Sequence, residues 1–200
     1  ENEIVLDERQ KAKLLDTVDK PEQDTEYRVG RRFFDLFFSR VPCEENGFKG
    51  FDYEKLCAMV LFFANKSTEL LKTKLMKLLN YSDMIFYKEN GVSISGLKYA
   101  HLPYGPVPDH FDMILGKMAA DHIAHIDVFY DGGYEKHQVV PECDIPEGVL
   151  SDAEIEVLNR IYEKFKTFGS VEISDYSHKE KGYKATKTGE TISYAYAMDN

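Results

Sequence analysis

Gly91-Val92-Ser93-Ile94-Ser95-Gly96-Leu97-Lys98-Tyr99-Ala100-His101-Leu102-Pro103-Tyr104-Gly105-Pro106-Val107-Pro108 is the stretch on which the fold turns. Val92, Ile94 and Leu97 alternate with small or polar residues, which predicts a strand over 92–99. Three prolines then fall within six residues. Proline fixes φ and removes a backbone donor, and it pushes the preceding residue towards extended geometry. Residues 102–108 therefore read as a stiff, pre-set loop, free to join neither a helix nor a central strand. A rigid loop carrying aromatics holds either shape or a partner. His101 is its one residue with catalytic potential.

Upstream, Leu71, Leu75, Leu78, Ser82 and Ile85 keep one helical face as far as Tyr87, widened by Leu79 and Phe86, with Asn90-Gly91 as a natural stop. Before it, Asp52 can cap a helix bearing Leu56, Met59, Val60 and Phe63. Residues 41–50, with Pro42, Gly47 and Gly50, form a loop. Phe33, Phe34, Leu36, Phe37 and Phe38 predict an aromatic-rich helix over 25–40, read as core packing. Ile4 to Val18 predicts a short helix, and Lys20 to Asp24 a linker.

Downstream, Phe111, Ile114, Leu115 and Met118 are in phase on a helix over 109–122. Ile126, Val128 and Tyr130 alternate, Asp131-Gly132-Gly133 turns, and Tyr134 to Val140 returns, a hairpin signal closed by Pro141. With 92–99 it would make a three-stranded sheet. Ser151 and Glu154 form a capping box, opening a helix through Val157, Leu158, Ile161, Tyr162 and Phe165 to Gly169. A second helix runs from Ser170 to Ser177-His178. The expected class is α+β and mainly α-helical: a compact helical domain with a small antiparallel sheet or hairpin.

Composition narrows the function. The chain has 200 residues, 43% hydrophobic, with thirteen each of Tyr and Phe, which marks a globular protein. No apolar run reaches membrane-spanning length, and no signal peptide is visible. The first residue is not Met, which suggests a fragment or a trimmed chain, upstream of which a signal or a further domain could lie. A net charge of −10 argues against nucleic acid as the main ligand and suits a basic partner. Cys43, Cys57 and Cys143 are odd in number and widely spaced, which fits unpaired thiols in a reducing cytoplasm.

The search for chemistry is mostly negative. His122 and His125 are the one close His pair, with no third ligand in sequence. A Cys143–His137 pair has no support from spacing. No phosphate-binding glycine loop is present. His178, at a helix C-terminus, reads as a structural hydrogen-bonding residue favoured there by the helix dipole. Residues 152–167 and 170–178 outline a winged helix, yet the second helix, with Glu172 and Asp175, is acidic and unsuited to DNA.

Thr73-Lys74-Leu75-Met76-Lys77-Leu78-Leu79-Asn80-Tyr81 resembles a signature helix of the Panacea domains, the SocA-like antitoxin family once known as phage-associated proteins. Tyr99 to Pro108 resembles that family's Tyr-Gly-Pro-Val loop. Leu150-Ser151 with Glu154, Ser177-His178 with Glu180, and Thr188-Gly189-Glu190 with Ile192-Ser193-Tyr194 follow in order. Tyr183 stands where the family often has Trp. The resemblance covers roughly 53–197. It implies that residues 51–200 are an antitoxin domain and 1–50 an N-terminal helical extension and linker that could be the tail of a removed upstream domain, a helix-turn-helix in longer family members.

By that resemblance the protein is a cytoplasmic, non-enzymatic antitoxin of bacterial or phage origin. It would need no cofactor and no metal, and would bind a cognate protein toxin, with a protease as a possible adaptor partner and homo-oligomers possible. The alternative is the effector or dimerisation domain of a transcription regulator. Tyr99, His101 and Tyr104 are the candidate toxin contacts, although the loop reads more readily as a lock between the 71–88 helix and the sheet. Leu75, Leu78, Leu79, Gly105, Pro106, Val107, Ser177, His178, Gly189 and Tyr194 are the structural signature positions.

Overall fold

Asp52 starts the first long helix, α1 (Tyr53–Lys66), by accepting a hydrogen bond from the Lys55 N–H. Every residue from Leu56 to Ala64 is buried, so α1 is covered on all sides. The computed structural model describes residues 37, 38 and 41–199. Residues from Val41 on form one compact unit. The predicted helices over 4–18 and 25–40 and the linker at 20–24 lie outside the described residues, apart from Phe37 and Phe38.

Helix α2 (Lys72–Asn90) packs beside α1 and ends where expected, at Gly91, whose φ is +77°. The Gly91 N–H closes the helix on the Tyr87 carbonyl at 2.8 Å. Leu75, Leu78 and Leu79 are fully buried on it.

The predicted strand over 92–99 is not formed. Residues 91–98 are irregular, with Ile94 and Leu97 completely buried. The alternation arises because the loop's backbone is satisfied by side chains. Asp83 of α2 accepts the Ile94 and Ser95 N–H groups at 2.8 and 2.9 Å, and Ser93 donates to the Asn46 carbonyl. Gly96 has φ +72°, and a Cβ there would lie 2.5 Å from the Gly50 carbonyl oxygen, so the chain turns against residues 49–50 instead of extending.

The stiff loop is itself a hairpin. β1 (Tyr99–Leu102) pairs with β2 (Gly105–Pro108) across a Pro103-Tyr104 tip, in the register Tyr99↔Pro108 and His101↔Pro106. The Asp109 N–H bonds the Lys98 carbonyl, which puts 98/109, 100/107 and 102/105 in the hydrogen-bonded set. Pro106 and Pro108 thus fall in the other set, where the backbone nitrogen points away from β1. Proline is tolerated at such edge positions, so the prolines mark an edge strand rather than forbid one. The chain's tail covers the opposite edge of β1, with the Ile192 N–H on the Tyr99 carbonyl and the His101 N–H on the Glu190 carbonyl.

Helix α3 (Phe111–Ala120) leads to the second hairpin, β3 (Ala124–Asp131) and β4 (Tyr134–Pro141). Gly132 and Gly133 both have positive φ, as a type I′ turn requires. The two hairpins are separate two-stranded sheets, so the expected three-stranded sheet is absent. The Ser151–Glu154 capping box opens α4 (Asp152–Phe165), which stops short of Gly169. Then come α5 (Ser170–Ser177), the unforeseen short helix α6 (Lys181–Ala185) and a 3₁₀ turn over Tyr194–Asp199. Among the described residues the fold is α+β and mainly helical, with two small antiparallel hairpins.

Candidate functional site

Three signature segments meet at Gly105. This residue has φ +104°, and a Cβ there would sit 2.7 Å from Lys77 Cε and still closer to Ser177 Oγ. Glycine is needed twice over, for the left-handed backbone and for the missing side chain. The gap it leaves is filled by Lys77 from α2 and Ser177 from the end of α5. Helix, hairpin and Ser-His segment are locked together at this one point.

Lys77 is fully buried, and its Nζ has no hydrogen-bond partner among the described residues. Burial without a counter-charge pushes its pKa down to about 8. Ser177 is also fully buried, and its hydroxyl donates to the Ser174 carbonyl at 2.7 Å. His178 packs its ring on Tyr183, centroids 4.5 Å apart, and Tyr183 stacks its other face on His101 at 3.7 Å. The three rings form one pile. Tyr183 donates to the Leu102 carbonyl at the hairpin, and His101 Nδ1 meets Thr186 Oγ1 at 3.0 Å. The ring at 183 thus bridges both histidines, the role an aromatic at this position is built for. His178 works by stacking: its Nε2 is buried without a hydrogen-bond partner among the described residues.

A second polar centre lies one to two turns along α2. Asp83 is fully buried and takes four donors: the Ile94 and Ser95 N–H groups on Oδ1, and Ser95 Oγ (2.5 Å) and Tyr99 Oη (2.7 Å) on Oδ2. Desolvation raises its pKa, opposed by the hydrogen bonds from Ser95, Tyr99 and Ile94. Tyr194 packs near Tyr99 and donates to the Leu97 carbonyl at 2.9 Å. Gly189, with φ +88°, donates its N–H to the His101 carbonyl.

These placements sort the three candidate contacts. Tyr99 is completely buried with its hydroxyl held by Asp83, and His101 is 9% exposed under Tyr183, so neither presents a surface. The alternation of β1 turns both side chains inward. Tyr104 at the hairpin tip is 75% exposed. Pro106 is buried and Val107 half-buried. Lys77, Asp83 and Tyr183 organise the centre. Lysine and aspartate inside an apolar helical stripe were the one signal that marked the first two.

Elsewhere, His122 and His125 both direct Nδ1 at Glu142, at 3.3 and 2.7 Å, on the surface. Among the described residues no group of three or more His, Cys, Asp or Glu is placed to hold a metal. Cys143 and His137 do not meet: Cys143 faces the Ile123 carbonyl, and His137 faces Glu135. Cys57 is buried in α1, where desolvation pushes its thiol up to about 12.

Residues 75–184, more than half of the chain, match the model of the family described as antitoxin SocA-like, Panacea domain. The chain belongs to that family. The match begins at Leu75 and ends just past Tyr183, so it spans the Lys77–Gly105–Ser177 junction and the ring pile. No curated protein and no solved structure matches the chain. No helix among the described residues of this Panacea domain is long and apolar enough to cross a membrane.

Proposed function

We propose that this Panacea domain is the antitoxin of a toxin–antitoxin pair and neutralises its toxin by direct protein–protein binding in the cytoplasm, without a chemical step. The observation that carries the reading is that most of the family's signature side chains are turned inward, with Tyr104 the exposed exception. Leu75, Leu78, Leu79, Tyr99, Ser177 and Tyr194 are buried. A domain whose shared residues build the frame leaves its exterior free to suit a particular toxin. The net charge of −10 favours a basic one and speeds encounter with it. Tyr104, at the end of a proline-stiffened hairpin, is the contact we assign first, because a rigid exposed aromatic loses little entropy on binding.

The test is co-expression with the product of the neighbouring gene. That product alone is expected to arrest growth. This domain is expected to restore growth and to co-purify with it. A neighbour that is harmless, or a toxic one that the domain neither rescues nor binds, overturns the proposal.

A further inference from the structure

The β3–β4 hairpin carries one covered edge and one open edge. The Val139 N–H bonds the Leu70 carbonyl at 2.8 Å, and Gln138 bridges to Leu71, so part of the outer edge of β4 is capped. The Val139 N–H therefore points away from β3. In an antiparallel ladder the pairing type alternates, and Val139 lies opposite Ile126. It follows that Ile126, Val128 and Tyr130 turn their own N–H and C=O groups away from β4, to the far side of β3. Among the described residues no strand or bridge pairs with that side.

Open edges are normally blunted by proline, lysine, a bulge or a very short strand. β3 has none of these. Its eight residues, Ala124 to Asp131, pair with β4 without a break and contain neither Pro nor Lys. Of the side chains at its outward-bonding positions, Val128 is 54% and Tyr130 73% exposed, and Ile126 is half-buried.

We propose that this edge pairs with the same edge of a second copy of the chain, giving a two-fold symmetric, four-stranded antiparallel sheet centred on Val128. The strand's own charges select the register. Centred on Val128, the outward-bonding positions meet as Ile126 with Tyr130 and Val128 with Val128. The pairs on the other face are His125 with Asp131 and Asp127 with Phe129. His125 opposite Asp131 is attractive, and no like charges face each other. A shift of one step in either direction sets Asp127 opposite Asp127, or Asp127 opposite Asp131, and like charges directly opposite are destabilising. The favoured register gives three hydrogen-bonded residue pairs and a shared stripe of Ile126, Val128 and Tyr130.

Sedimentation of the full chain over a concentration series tests this. The wild type is expected to show a reversible monomer–dimer equilibrium. Val128→Pro deletes an N–H that the β3–β4 ladder does not use, so it is expected to abolish the dimer with an unchanged circular dichroism spectrum. Val128→Lys serves as the second variant should proline disturb the fold.

Register is read by Val128→Cys in a Cys143→Ser background. Facing positions in a hydrogen-bonded pair lie about 5.5 Å apart at Cα, within disulfide reach, so oxidation should cross-link Val128→Cys and not Tyr130→Cys. A wild type that stays monomeric at the highest attainable concentration overturns the proposal. So does a dimer that survives both Val128 variants. A wild type that is monomeric alone, with Val128→Pro losing only toxin binding, overturns it too, and gives the edge to a strand of the toxin.

Discussion

Replacing Lys77 by Met is expected to stabilise the domain. The Lys77 stem is enclosed by α2, Gly105 and Ser177, and its Nζ has no hydrogen-bond partner among the described residues. Its pKa falls from 10.5 to about 8 through burial. At roughly 1.4 kcal/mol per unit, that shift corresponds to a cost of about 3.5 kcal/mol for the charged form in the folded state. Below pH 8 the lysine is charged both folded and unfolded, so the full cost is present at pH 7. Between pH 8 and 10.5 the unfolded chain still holds the proton while the folded chain has released it, so stability rises with pH. Above 10.5 the cost is gone. Met fills a similar volume without the charge.

The Met variant should therefore melt higher at pH 7, by roughly 7–14 °C at about 2–4 °C per kcal/mol for a chain of this size. The gap should close as pH rises from 8 to 10.5. Thermal unfolding of both proteins followed by circular dichroism at pH 7, 9 and 10.5 measures it. A Met variant that is less stable at pH 7, or a gap that does not change with pH, would refute the assignment of Lys77 as an uncompensated buried charge.

Asp83→Asn exchanges one acceptor oxygen for a donor amide, leaving two of the four groups held by Asp83 without an acceptor, and should cost about 2–4 kcal/mol in urea unfolding. Gly105→Ala meets Lys77 and Ser177 at a left-handed φ, so it should lose at least ~2 kcal/mol, read as a fall in melting temperature. Tyr104→Ala should leave stability within about 0.5 kcal/mol while weakening rescue from the toxin; intact rescue would remove Tyr104 from the interface.

Helices were legible because their signals are local. Asp52, Gly91 and the Ser151–Glu154 box act within one turn of chain, and each sits where the spacing put it. The second hairpin was legible for the same reason, through its glycine turn. What failed was the stretch 92–108, where the deciding partners are distant. Asp83 makes a buried loop look like an alternating strand. The choice between loop and strand at Pro106 and Pro108 depends on which way each nitrogen faces, and only the register tells that. The short helix α6 escaped notice because Lys181–Ala185 holds two lysines and a glycine, with no apolar period. At the site, Gly105, Ser177 and His178 were identified by motif, but their common purpose was hidden until Lys77 and Tyr183 joined them.

The position of the signature residues bears on how one fold could serve different toxins. A contact surface shared by all members would have to be exposed. Here the shared side chains other than Tyr104 hold α2, the β1–β2 hairpin and α5 in register through a glycine with no room for a methyl group, and through a pile of three rings. Two exposed elements leave that frame as hairpin tips: Pro103-Tyr104 from the first and Tyr130 to Tyr134 from the second. Tyr104, Tyr130 and Tyr134 are each more than 70% exposed. Residues at a tip can change without disturbing a buried lysine or a buried aspartate far from them. Under the proposed function, recognition would fall to these exposed tips, while the buried frame sets their positions.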